Sequence, residues 1–107
     1  MMFSRKILSA EEVMLEIQGP LTGETTGEFQ SHLVELAAGS FTRITLNLAA
    51  VPTINSSSIG KILLFRKDLA EAGRVLQIRG CSEYLFKNLQ MVKMDSLMPI
   101  DRLPPGA

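Results

Sequence analysis

The stretch that decides the fold is residues 45–73, TLNLAAVPTINSSSIGKILLFRKDLAEAG. Leucines alternate with polar residues in its first part, which is the period of a β-strand and predicts a strand at 43–48. Pro52 then bars further pairing, because proline has no backbone N–H to donate to a neighbouring strand. The stretch therefore predicts a strand, a loop at 49–53 and an amphipathic helix that begins near residue 56.

The predicted helix gathers its apolar residues on one side. If the helical wheel starts at Ile59 and advances about 100° per residue, the inward side holds the following four residues: Ile62, Leu63, Leu69 and Ala70. Phe65 falls at the boundary, and Leu64 lies about 140° from Ile59, beside Lys61. Gly73 is a typical helix stop. The wheel thus predicts an exposed leucine on the outer face, flanked by charged residues.

A polar run, Asn55, Ser56, Ser57 and Ser58, opens this helix. Asn55 or Ser56 can cap the first turn, and capping accounts for the run without any further function. The serines lie at the positive end of the helix dipole, on a loop that faces solvent.

The rest of the chain alternates predicted strands and helices. Strands are expected at 3–8, 13–17, 74–79 and 97–100, and further helices at 26–38 and 82–92. The first two strands form a hairpin, and Thr25 and Glu28 have the spacing of a capping box. Strands separated by helices pair in parallel through right-handed crossovers, so we predict a compact α/β fold with a mixed sheet of about five strands. The predicted core contains Ile44, Leu46, Leu48, Ile62, Leu63, Leu76, Ile78 and Leu85.

Composition narrows the class of protein. A chain of 107 residues with 46% hydrophobic residues fits one globular domain, which we place at 1–102, with a tail at 103–107. Basic and acidic residues balance at 11 each, so no basic field exists to hold nucleic acid or an anionic membrane. No apolar run reaches the roughly 20 residues of a membrane-spanning helix. A lone Cys81 excludes an internal disulfide and fits a reducing compartment, which predicts a cytoplasmic protein.

The sequence lacks the usual patterns of catalysis and metal binding. The serine run is not the Gly-x-Ser-x-Gly elbow, and a serine nucleophile needs an adjacent base. The single histidine, His32, is better explained as a partly buried helix residue, so a hydrolase using Ser56 or Ser57 is a remote alternative. Cys81, at a strand–helix junction, is better explained as a packed thiol, and one Cys with one distant His gives no metal site. We predict neither enzyme activity, nor a cofactor, nor a metal.

Residues 55–60, NSSSIG, resemble the Asp-Ser-Ser-Gly-Leu-Gly pattern that opens a helix in the STAS family. This is the domain of sulfate transporters and anti-sigma factor antagonists. The order of the later elements and the ending MDSLMPI at 94–100 are similar to the family's C-terminal half. The resemblance implies the STAS fold, with the helices mainly on one face of the sheet. Asn55 stands where the family has Asp, and Ser58 where it has Gly.

The resemblance also implies a function. In the antagonist branch a serine kinase anti-sigma factor phosphorylates the first serine of the pair, which corresponds to Ser56, with Ser57 the weaker acceptor. The unmodified protein would bind that kinase and the phosphorylated one would release it. The partner surface predicted in this way consists of Asn55, Ser56, Ser57, Gly60, Lys61 and Leu64. The alternative is a STAS subunit of a signalling scaffold or lipid transport complex without a switch, which the change at Asn55 favours.

Overall fold

The computed structural model describes residues 2–103 as one five-stranded sheet with three α-helices. The strands are β1 (Phe3–Ile7), β2 (Glu12–Gln18), β3 (Arg43–Ala50), β4 (Val75–Cys81) and β5 (Ile100–Arg102). The helices are α1 (Thr25–Ala38), α2 (Ser56–Glu71) and α3 (Glu83–Met91), and a short 3-10 helix (Met94–Ser96) precedes β5. Of the predicted tail, only Leu103 lies within the described residues, and its N–H donates to the carbonyl of Cys81 at 2.8 Å. No helix in this part of the chain has the length and apolar character needed to cross a membrane.

The strands follow one another across the sheet in chain order, β1-β2-β3-β4-β5. β1 is antiparallel to β2, and the other neighbours are parallel, which confirms the predicted mixed sheet. Right-handed crossovers that all step in the same direction leave their helices on the same face of a sheet. The carboxyl ends of β2, β3 and β4 also meet at one edge. The three loops that lead into α1, α2 and α3 therefore gather there.

The core lies between the sheet and the helices. Alternate residues of the three central strands are buried: Val13, Leu15, Ile17, Ile44, Leu46, Leu48, Leu76 and Ile78. Together with the buried residues of the helices they form one cluster. Every predicted core residue is buried except Leu63, which is half-buried and packs against the cluster. On the opposite face of the sheet, Gln77 donates through Nε2 to Oγ1 of Thr45 at 2.9 Å.

The structure corrects the predicted rotation of α2. Its buried side chains are Ser58, Ile62, Phe65 and Leu69, spaced four, three and four residues apart. Phe65 therefore belongs to the core rather than to the boundary, and Ala70, which was expected inside, is exposed. Leu64 is 58% exposed, as predicted. The inner face of the helix thus consists of one serine and three large apolar residues.

The capping box predicted before α1 is wrong. Thr25 is the first residue of the helix, and its single hydroxyl proton lies between two acceptors, the carbonyls of Pro20 and Thr22, which are 2.8 and 2.9 Å from Oγ1. The residue before it, Glu24, makes no side-chain cap. Thr25 thus bonds to the loop between β2 and α1 and stabilises it, instead of capping the helix.

The other end of α1 is held by Arg74, the residue immediately before β4. The guanidinium of Arg74 donates to the carbonyls of Phe41, Ala37 and Leu36 at 2.7, 2.8 and 3.0 Å. A cation at a helix C-terminus satisfies carbonyls that have no partner within the helix, and it complements the dipole. Arg74 therefore fixes α1 to the sheet at the edge opposite the helix-entry loops.

Candidate functional site

The N-terminus of α2 lies at the edge where the helix-entry loops meet. Asn55 is its cap: the backbone there is extended, with φ −91° and ψ 167°, and Oδ1 accepts the N–H of Ser58 at 2.8 Å. Of the two caps that the sequence allows, the structure uses Asn55. Ser56 and Ser57 follow as the first two helical residues, and both are exposed. Ser58 is fully buried.

Ser58 belongs to a buried chain of hydrogen bonds. Asn55 donates through Nδ2 to Oγ1 of Thr26 at 3.3 Å, and Ser58 donates through Oγ to the carbonyl of Leu21 at 3.2 Å. The two hydroxyl oxygens, of Thr26 and Ser58, lie 3.2 Å apart. A hydroxyl has one proton, so with that of Ser58 directed to Leu21 we assign Thr26 as the donor to Ser58. The protons therefore point one way, from Asn55 through Thr26 and Ser58 to Leu21.

This chain of hydrogen bonds joins the entry of α2 to the loop before α1. Backbone bonds run beside it, from Leu21 N to the carbonyl of Thr53 and from Asn55 N to the carbonyl of Leu21, each 3.0 Å long. The first turn of α2 is thus tied to the loop before α1 through Leu21 and to the first turn of α1 through Thr26. These hydrogen bonds hold the backbone at Ser56 and Ser57 in place, while the side chains of both serines are exposed to solvent.

This chain of hydrogen bonds is not predicted by the sequence analysis, although the sequence contains one sign of it, a serine at position 58. The sequence marks Ser58 only as a departure from the family pattern and Thr26 only as the start of a helix. A hydroxyl residue in place of glycine brings a group that must be hydrogen-bonded when it is buried. A second hydroxyl residue at the entry to α1 is a natural partner. The pairing could not be read from the sequence because 32 residues separate Thr26 from Ser58.

The outer face of α2 carries the remaining residues of the predicted partner surface. Lys61 and Leu64 follow Ser57 at helical spacing, and Gly60 lies one turn after Ser56. A Cβ built on Gly60 meets no atom within 4 Å, so the backbone is open to solvent at this point. The structure therefore brings all six predicted residues together at the N-terminal end of α2 and along its outer face.

The two side chains considered for other chemistry lie elsewhere. The ring of His32 stacks on Phe3 with centroids 4.7 Å apart, and Nδ1 lies 3.5 Å from Nη2 of Arg5, so His32 covers the edge strand β1. Cys81 is fully buried at the end of β4. Burial, aided by the carboxylate of Glu83, raises the pKa of its thiol to about 11, so the thiol is protonated at neutral pH. Within residues 2–103 no three His, Cys, Asp or Glu side chains group to hold a metal ion.

Comparison with known proteins gives a family and several similar folds. The model of the STAS domain matches residues 5–103. A candidate anti-sigma factor antagonist of Thermotoga maritima is 23% identical with a TM-score of 0.85, over 97% of this chain and 88% of that one. The phosphorylated form of SpoIIAA, a Bacillus cell fate determinant, is 18% identical with a TM-score of 0.73, over 92% and 89%.

A sulfate transporter family protein of Wolinella succinogenes has the same fold. It is 19% identical with a TM-score of 0.73, and the match covers 91% of this chain and 82% of that one. Comparison with curated proteins finds no match. At these identities the likeness of the structures shows a shared fold.

Proposed function

This chain belongs to the STAS domain family, and from that membership we propose that it is an anti-sigma factor antagonist, a cytoplasmic regulator rather than an enzyme. It binds a serine kinase anti-sigma factor while Ser56 is unmodified and releases it once Ser56 carries a phosphate. One observation supports this most directly. Of three consecutive serines, Ser58 is buried and hydrogen-bonded, whereas Ser56 and Ser57 are exposed on a fixed helix N-terminus.

Ser56 is the better acceptor of the two exposed serines because it is the first residue of α2. The first N–H groups of a helix have no carbonyl partner one turn earlier, and they favour an anion. A phosphate on Ser56 adds about −1.5 to −2 charges at neutral pH beside these donors. The modification therefore leaves the fold intact.

The effect of the phosphate falls on the partner. The surface around Ser56 consists of short neutral groups, namely Asn55, Ser57 and the bare backbone at Gly60. A partner packed there must remove water from a phosphate, which costs much free energy unless a cation compensates it. The structure of SpoIIAA in its phosphorylated form supports the proposal, since a protein with a similar fold is known in that form.

The test is a phosphorylation assay with the serine kinase anti-sigma factors of the source organism, purified and supplied with ATP. Mass spectrometry of the product should place the phosphate on Ser56. Ser56→Ala should abolish labelling, and Ser57→Ala, the matched control, should retain it. Phosphate confined to another residue would rule out the switch.

Binding to the same kinase supplies the second measurement. Ser56→Asp and Leu64→Glu should each weaken binding at least about tenfold, because an interface centre tolerates buried charge poorly. Thermal unfolding of both variants should stay close to that of the parent chain. A Ser56→Asp variant that binds as tightly as the parent would leave the non-switching alternative ahead.

That alternative is a STAS subunit of a signalling scaffold or lipid transport complex. The specific observation in its favour is the use made of Asn55, whose amide both caps α2 and donates to Thr26. Here the residue that replaces the family's Asp has a structural role. Recovery of a stable complex that phosphorylation does not dissolve would favour this function.

A further inference from the structure

We propose that the chain pairs with a second copy of itself through the groove between α1 and α2. The groove encloses about 80 Å³. Its two edges carry Val34 of α1 and Leu64 of α2, which are 60% and 58% exposed. Leu33 and Phe65, both buried, form its floor. Two large apolar side chains face solvent across one depression, and covering them releases water from both.

The charges along the groove identify the occupant. Lys61 and Asp68 line it, three residues before and four residues after Leu64. A helix rises about 1.5 Å per residue, so these charges lie about 10.5 Å apart along α2 with Leu64 near the midpoint. In an antiparallel copy, rotated about a two-fold axis near Leu64, each Lys61 faces the other copy's Asp68. The surface is therefore self-complementary, with an apolar centre and two ion pairs.

The rest of the chain does not oppose this pairing. Its formal net charge is zero, with 11 basic and 11 acidic residues, so two copies do not repel each other at long range. The contributions of α1 to the groove edge, Gln30 and Val34, are uncharged. The apolar centre is small, which makes this an interface of the weak, reversible class.

Self-association has a consequence for the proposed function. A second copy seated in the groove covers Lys61 and Leu64, which also belong to the proposed kinase surface. Dimerisation and kinase binding are then mutually exclusive. At high concentration the antagonist that is not bound to the kinase forms dimers, which cannot bind it. Only this consequence rests on the proposed function; the pairing itself rests on the groove and its charges.

Sedimentation equilibrium of the purified chain, from micromolar to millimolar concentration, tests the pairing. In a dimer of the Lys61→Asp variant, both facing positions, 61 and 68, are acidic. In a dimer of the Asp68→Lys variant, both are basic. Each change should raise the dissociation constant of the dimer at least about tenfold, because both ion pairs become repulsive. The double variant Lys61→Asp/Asp68→Lys should dimerise like the parent. An equimolar mixture of the two single variants should form a heterodimer.

Two further variants complete the test. Leu64→Glu should abolish the dimer, and Met91→Glu, on the exposed face of α3, should leave it unchanged. A parent chain that stays monomeric at millimolar concentration overturns the proposal. So do single charge variants that dimerise normally, a double variant that does not recover, or a dimer lost in Met91→Glu. The sedimentation experiment contains no kinase, so the pairing can fail or succeed whatever the result of the phosphorylation assay.

Discussion

The inner and outer faces of α2 carry residues at the same spacing and put them to different uses. Ser58, Ile62, Phe65 and Leu69 face the core, whereas Ser57, Lys61, Leu64 and Asp68 follow the outer face. Each face begins with a serine and contains a large apolar residue in its middle. The difference between them is set at the first turn, where Ser58 finds partners in Leu21 and Thr26 and Ser57 does not.

A polar residue can help to fix the rotation of an amphipathic helix. A buried hydroxyl without a partner costs about 1–3 kcal/mol, so the rotation that satisfies Ser58 is preferred. That rotation brings Phe65 into the core and leaves Leu64 outside. The outer face is thereby free for contacts with other molecules.

The largest expected effect separates two neighbours, Phe65 and Leu64. Phe65→Ala should lower the free energy of unfolding by about 3–5 kcal/mol, because it opens a cavity in the core. Leu64→Ala should change it by less than about 0.5 kcal/mol, since the side chain is mostly exposed. Urea unfolding followed by circular dichroism measures both. Equal losses would show that the two faces do not differ in the way the structure describes.

The second prediction compares the loss of stability at Ser58 with that at Ser57. Ser58→Ala should cost about 1–3 kcal/mol, because the proton of Thr26 loses its buried acceptor. Ser57→Ala, one residue away, should stay within about 0.5 kcal/mol of the parent. The same unfolding measurement applies. A Ser58→Ala variant as stable as the parent would remove the chain of hydrogen bonds as the reason for the rotation of α2.

A smaller effect concerns the direction of the hydrogen bonds. Asn55→Asp keeps the cap on Ser58 but cannot donate to Thr26, whose proton then turns to the carboxylate. Ser58→Ala should therefore cost about 1 kcal/mol less in the Asn55→Asp background than in the parent. A double-mutant cycle measures this coupling, with Ser56→Ala in place of Ser58→Ala as the control that should show none. Strict additivity at Ser58 would contradict the inferred direction.

The smallest effect is expected on the outer face, at Gly60. Alanine is preferred to glycine inside a helix by about 0.5–1 kcal/mol, and a Cβ at this position meets no neighbour. Gly60→Ala should thus stabilise the fold while weakening kinase binding, because it fills the open backbone of the proposed surface. Thermal unfolding and binding measured on one preparation separate the two effects. Destabilisation would show that Gly60 serves the fold rather than a partner.

Much of the fold could be predicted from local patterns. The alternation in β3, a cap at Asn55 or Ser56 and the helix stop at Gly73 depend on neighbouring residues; the structure has the alternation and the stop, and it uses Asn55 as the cap. The ends of elements were less accurate. β3 continues to Ala50, two residues past its predicted end, and β4 continues to Cys81. β1 ends at Ile7, one residue before its predicted end, and the strand predicted at 97–100 is wrong in its bounds, since β5 spans Ile100–Arg102. Strand ends depend on the neighbouring strand as well as on their own residues, so the local pattern misplaces them in either direction.

The candidate site divides in the same way. From the residues alone one can predict that serines open a helix after a buried strand and that a leucine lies on its outer face, because both follow from periodicity and residue type. The burial of Ser58, and of Phe65 rather than Ala70, depends on the tertiary contacts of α2. A buried hydroxyl needs hydrogen-bond partners, and the residues next to Ser58 in the sequence do not supply them. Leu21 lies in the loop before α1 and Thr26 in the first turn of α1, 37 and 32 residues from Ser58 along the chain.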